Sequence, residues 1–151
     1  MKKTEFERIL TKTFRVLEGR YGFKKGEAMY SPKGCTVQFQ NATTDVTLHY
    51  EIGEMPWLDI AEIQNAENRS TLGWLLVERG IEKTPIPAAA FRSNPLAEKD
   101  IEAVLEKKNQ QFVEYGMDLI NGDFSLMPAL QKRAKKYALD CERFMAQHKS
   151  K

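Results

Sequence analysis

The amino-acid sequence predicts an α+β fold. Its expected parts are an N-terminal helix, a four- to five-stranded antiparallel meander sheet, then a short helix and a C-terminal antiparallel helix pair packed on one sheet face. Three observations predict it. Apolar residues recur at helical spacing up to Leu17, alternate strictly between Cys35 and Ile52, and return to helical spacing beyond Leu72. Strands grouped together and then followed by helices favour α+β over a βαβ array. A chain of 151 residues, 42% hydrophobic and 29% charged, has the size and composition of a single globular domain over residues 1–151.

The first helix rests on the stripe Phe6, Ile9, Leu10, Thr13, Phe14 and Leu17. Thr4 and Glu7 stand at capping-box spacing, and Gly19 is where this helix is expected to stop. Tyr21-Gly22-Phe23 and Ala28-Met29-Tyr30 are then expected as short strands separated by Lys24-Lys25-Gly26, with a turn at Ser31-Pro32-Lys33-Gly34. The clearest strand pair follows. Cys35, Val37 and Phe39 alternate with Thr36, Gln38 and Gln40. Beyond Asn41-Ala42-Thr43-Thr44, residues Val46, Leu48, Tyr50 and Ile52 alternate with Asp45, Thr47, His49 and Glu51. One dry face and one wet face are implied. A fourth strand is expected from Trp57 to Ile63, a polar loop from Asn65 to Ser70, and a short helix from Thr71 to Arg79 closed by Gly80.

Ile81 to Ser93, with Pro85 and Pro87, reads as an irregular connection. Asn94-Pro95 is a helix start, Asn capping and Pro in the first turn. Its stripe runs Ile101, Val104, Leu105, Phe112, Tyr115 and Leu119 and ends at Asn121-Gly122. The last helix has the stripe Leu130, Ala134, Tyr137, Ala138, Cys141, Phe144 and Met145. The short link between the two predicts that they pair antiparallel.

Chemistry is sparse. The two histidines, His49 and His148, have no HExxH or CxxC context. Asp45 and His49 are about 13.6 Å apart along a strand, too far to share one ion. Cys35 and Cys141 both fall on apolar stripes and are expected to be part-buried, unreactive thiols. There is no P-loop, no G-x-G-x-x-G after a strand and no G-x-S-x-G elbow. The sequence therefore predicts no catalytic residues, no metal and no cofactor. It contains no run of about 18 apolar residues, so no membrane span is expected. Met1 to Leu10 lacks the apolar core of a signal peptide, and cytoplasmic residence follows as the expectation.

Charge is asymmetric although the net value is only +2. Between Lys33 and Arg69 there is no lysine or arginine, while Asp45, Glu51, Glu54, Asp59, Glu62 and Glu67 fall in that stretch. Lys132, Arg133, Lys135, Lys136, Arg143, Lys149 and Lys151 crowd the end of the chain. An acidic strand region suits a basic protein partner by steering and by excluding wrong partners. The candidate partner-binding residues are Thr36, Gln38, Gln40, Asp45, Thr47, His49, Glu51, Glu54, Trp57 and Asp59, with Trp57 as an aromatic anchor if it lies at the rim. Nucleic acid is not the expected partner. The final lysines surround an amphipathic stripe, and no aromatics interleave on a wet strand face.

The stretch Tyr115-Gly116-Met117-Asp118-Leu119-Ile120-Asn121-Gly122-Asp123-Phe124, before a final helix and after this order of elements, resembles small uncharacterised bacterial proteins of the toxin-immunity type. The resemblance implies a non-catalytic protein that neutralises a basic toxin domain, and it carries no functional residue across. The order of elements is also similar to small secretion-chaperone-like domains, which implies an adaptor role instead. A third alternative is an enzyme with a dispersed site such as His49, Glu51 and Asp59.

Overall fold

The structure, a computed structural model, describes residues 1–85 and 96–149. Helices α1 (Lys3–Thr13) and α2 (Arg15–Tyr21) precede strands β1 (Lys24–Ser31), β2 (Gly34–Gln40), β3 (Thr44–Glu51), β4 (Trp57–Glu62) and β5 (Arg69–Thr71). Then come α3 (Leu72–Glu78), a 3-10 turn (Glu98–Asp100), α4 (Ile101–Tyr115), α5 (Met117–Ile120) and α6 (Met127–Lys149). The sheet is a five-stranded antiparallel meander in the order β1-β2-β3-β4-β5. The predicted α+β class is therefore what the chain forms.

Strand parity sets the layers. Cys35, Val37 and Phe39 of β2, and Val46, Leu48 and Tyr50 of β3, are buried. They face a helical layer in which Phe6 stacks on Tyr50, Phe14 on Phe39, and Phe23 meets Phe112 of α4 edge-on. The alternate residues of the same strands turn away from the helices.

The N-terminal region departs from expectation in three places. Lys2, not Thr4, stands at the start of α1 with no side-chain cap, and Glu7 instead accepts hydrogen bonds from Lys25 and Tyr30 of β1. The first helix is broken at Phe14, and helical structure continues past Gly19 to Tyr21. At the break the Thr13 carbonyl accepts a 2.9 Å hydrogen bond from the buried Asn109 side chain of α4. That bond offsets the helical hydrogen bond the kink gives up. Gly22, with φ of 72°, is the left-handed C-cap. Tyr21 is thus helical, and a single strand β1 replaces the two short ones. β1 carries an irregularity between Lys25 and Ala28, which puts both on the helix side despite their odd separation.

Glu7 makes this corner acid-sensitive. Its hydrogen bonds to Lys25 and then Tyr30 hold the carboxyl below its ordinary value of 4.5. A carboxyl lowered in the folded state adds stability that is complete above the unfolded value and is lost as pH falls through the folded one. Glu7→Gln is expected to cost at most about 1 kcal/mol near pH 7, since the site is partly solvated. That difference should shrink towards zero in urea titrations taken progressively below pH 4.5.

Beyond the strands, Thr71 caps α3 through a bond from the Trp74 amide at 3.4 Å, and Gly80 follows in the left-handed region at φ 76°. Arg69 to Thr71, expected partly as loop, form the edge strand β5. Its carbonyl side is covered by α6, whose Gln131 donates to the Glu67 and Arg69 carbonyls. Ile52 lies beyond the end of β3 and is exposed, not buried as alternation implied. The expected helix start at Asn94-Pro95, and most of the connection from Ile81 to Ser93, lie outside the described residues.

The single helix expected to run on to Asn121-Gly122 is instead split at Gly116 into α4 and α5, and Asn121-Gly122 ends the second of them, with Gly122 at φ 90°. This corner seats on the β2–β3 turn. Thr44 donates to the Leu119 carbonyl at 2.6 Å and Asn41 to the Ile120 carbonyl at 3.0 Å. The Leu-Ile-Asn-Gly-Asp-Phe segment therefore has a structural role, joining the helices to the sheet.

The last helix differs most. Its main contacts are with α3 and β5, not with α4 as the expected antiparallel pair required, and its stripe is covered only through Leu130 and, partly, Ala134. Tyr137, Phe144 and Met145 are exposed, with Phe144 at 58%. Cys141, expected to be part-buried, is exposed as well. Helical spacing reports amphipathicity without reporting what covers the apolar side. Cys35 is buried, and burial pushes its thiol up to about 12. Ellman's reagent should therefore react rapidly with one thiol in the native protein and with two in denaturant. Cys141→Ser should abolish the fast phase, whereas Cys35→Ser should leave it intact.

Candidate functional site

The wet side of the sheet holds most of the candidate residues, ordered in rows across the strands by the pairing register. Met29, Thr36, His49 and Trp57 are successive cross-strand neighbours on β1 to β4. Gln38, Thr47, Asp59 and Thr71 form the next row, on β2 to β5. Lys24, Gln40, Asp45, Ala61 and Arg69 form the third, on β1 to β5. Glu51 closes the face opposite Gly34. Side chains directly opposite one another in such rows touch, so each row is one continuous contact strip.

The side chains interlock. His49 stacks on Trp57 with ring centroids 4.7 Å apart and planes 17° from parallel. The His49 Nε2 lies 3.5 Å from Asp59 Oδ2, and Arg69 donates to the same carboxyl oxygen at 2.9 Å. Gln38 donates to Asp45 Oδ2 at 2.9 Å, while Asp45 Oδ1 is buried with no donor among the described residues. Trp57 is 43% exposed and Met29 69% exposed, so large apolar groups bracket the His49 row at both ends. Trp57 thus stands part-exposed at the β4 end of this row.

The acidic stretch does not converge on this face. Asp45, Glu51 and Asp59 lie on it. Glu54 sits in the β3–β4 turn beside a separate cleft. Glu62 pairs across from Thr44 and accepts from Asn68, and Glu67 belongs to the exposed β4–β5 loop. Arg69, the first cation after the lysine-free window, comes round on β5 to neutralise Asp59. The face is therefore mixed in charge, with Asp45 and Glu51 its acids outside salt bridges among the described residues. Sequence reasoning passes over Arg69 and Met29. The alternation of Arg69 and Thr71 about Ser70 is the one signal that points to a strand there.

No group of three His, Cys, Asp or Glu residues among those described is arranged to hold a metal ion. Among the described residues, no helix is long and apolar enough to cross a membrane. No protein-family model matches the chain, and neither a curated protein nor a solved structure matches it significantly.

Proposed function

We propose that the chain is a non-catalytic protein-binding domain that meets its partner through the open sheet face. The observation that supports this most is the row Met29–Thr36–His49–Trp57, in which exposed apolar groups flank hydrogen-bonding ones. Interfaces concentrate their energy in such anchors, with polar neighbours fixing register. Asp45 and Glu51 leave the face able to take basic side chains, and the Arg69–Asp59 pair offers a preformed polar contact. The toxin-immunity reading is a special case of this role, with the toxin domain as partner and cytoplasmic residence implied.

The test places a photo-crosslinking amino acid at Thr47, in the centre of the face, or at Arg15, exposed on α2, in cells that normally produce the protein. A discrete cross-linked partner from position 47 and none from position 15 is the expected result. Thr47→Arg should then abolish co-purification of that partner, and Phe144→Ser on α6 should not. Cross-linking from both positions alike, or loss of the partner through Phe144→Ser alone, would overturn the proposal.

A further inference from the structure

The second half of α6 stands uncovered. Every residue from Lys135 to His148 is exposed, while the first turns of the helix are held to the body through α3 and β5. The apolar stripe nevertheless runs on without a break. Leu130, Ala134, Tyr137, Cys141, Phe144 and His148 follow one another at alternate spacings of four and three. That is the heptad seam of a coiled coil, narrower than the stripe of a helix lying on a broad surface. The end of the seam is already ordered: the His148 ring packs on Phe144 with centroids 4.1 Å apart, its Nδ1 2.9 Å from the Phe144 carbonyl oxygen.

Both borders of the seam mix charges. Arg133 and Asp140 flank it on one side, Lys135 and Glu142 on the other. A helix made for an anionic lipid surface carries cations there, so the acids at both borders favour a protein helix as the occupant.

We propose that a second copy of the chain covers this seam, the two α6 segments pairing antiparallel about the point between Glu142 and Arg143. The two bodies then lie at opposite ends of the joint. Counting outward from that point sets Phe144 of each chain level with Cys141 of the other, and His148 level with Tyr137. Each large phenyl ring meets a small side chain, and the seam is complementary to itself, as a two-fold pair requires. Asp140 comes within about 3 Å of the level of Arg143 of the second copy, on the same side of the seam, so an opposite-charge pair forms twice. The area fits a weak pair. Aromatic side chains carry about 150–250 Å² each, so Tyr137 at 42% and Phe144 at 58% exposure leave about 200 Å² open between them. With Ala138, Cys141, Met145 and His148, all exposed, the seam offers roughly 500 Å² per chain and about 1,000 Å² per pair, the lower limit for a specific interface. The pair therefore forms reversibly as concentration rises. It is independent of the sheet face and stands whether or not that face binds a protein.

Sedimentation equilibrium of the full chain in reducing buffer, from micromolar to millimolar concentration, reads the pairing. A monomer–dimer equilibrium is expected. Phe144→Ser should weaken it by about tenfold or more. Phe144 is exposed in the single chain, so this variant should melt thermally as the dilute parent does. Leu139→Ser, exposed on the far side of α6, and Thr47→Arg, on the sheet face, should leave the equilibrium unchanged. The Cys141 thiol, rapid towards Ellman's reagent in the dilute chain, should slow as the dimer forms. Orientation is read in a Cys141→Ser background. A chain carrying Ala138→Cys, mixed with one carrying Met145→Cys, should form a mixed disulfide in a glutathione buffer. Parallel copies hold these two positions on opposite flanks and would not form it. A chain that stays monomeric throughout, whether or not it binds phosphatidylserine vesicles, a dimer that survives Phe144→Ser, or the absence of the mixed disulfide would overturn the proposal.

Discussion

Phe14→Ala is expected to lower the stability of the folded chain by about 3–5 kcal/mol, the range for a large aromatic removed from a closed core. Phe14 is fully buried, and its ring lies 4.2 Å from that of Phe39 with the planes 1° from parallel. It also stands at the break between α1 and α2, with non-helical φ and ψ of −95° and 4°. The kink turns the chain so that Phe6 and Leu10 from one segment and Leu17 from the next reach the same core. Truncation therefore opens a cavity and frees the joint that directs two helices. Since domains of this size are stable by only about 5–15 kcal/mol, the variant should be close to unfolding at room temperature. The measurement is a urea titration, where the midpoint should fall with little change in slope. Val16→Ala, exposed two residues away, should stay within about 0.5 kcal/mol of the parent. A loss below about 1 kcal/mol at Phe14 would mean that the N-terminal helices do not seal the sheet.

The same residue shows where sequence reading succeeds and where it stops. That Phe14 faces the core is visible from spacing alone, as is the inward set of β2 and β3, because each pattern has the period of its element. That the helix breaks there is not visible. The break depends on Asn109, almost a hundred residues away, filling the vacated carbonyl. Within the apolar stripe of α4 such an asparagine looks like an interruption, and only the packed pair shows it to be a cap. The wet face follows the same rule. Parity puts Thr36, Gln38, Asp45, Thr47, His49 and Asp59 together, because alternation is local. Charge does not follow from parity, because Arg69 reaches Asp59 only through the pairing of β5 with β4. The end of α6 marks the opposite limit. Its stripe is as regular as that of a buried helix, and regularity cannot distinguish a helix that is covered from one that still presents Tyr137 and Phe144 to solvent.

Gly34→Ala and Gly19→Ala, the same chemical change, should move stability in opposite directions. Gly34 opens β2 between Ser31 and Glu51. A Cβ there would lie 2.0 Å from the Tyr50 carbonyl oxygen and 2.8 Å from the Glu51 Cα. Both are backbone atoms of a central strand, so no side chain can swing aside. The methyl can be admitted only by prising β2 from β3, which breaks ladder hydrogen bonds next to the Thr36–His49 pair. A loss of about 3 kcal/mol or more is expected, above the usual cost of overpacking because the obstacle is main chain. The reason is close approach, since Gly34 is not among the glycines of positive φ. Gly19 lies in the middle of α2, with open space where its Cβ would go. Alanine there removes a flexible residue from a helix and should stabilise by about 0.5–1 kcal/mol. Paired urea titrations read both signs at once. If Gly34→Ala proved as benign as Gly19→Ala, β2 and β3 would not be in the register that aligns the rows of the wet face, and the candidate binding strip would have to be redrawn.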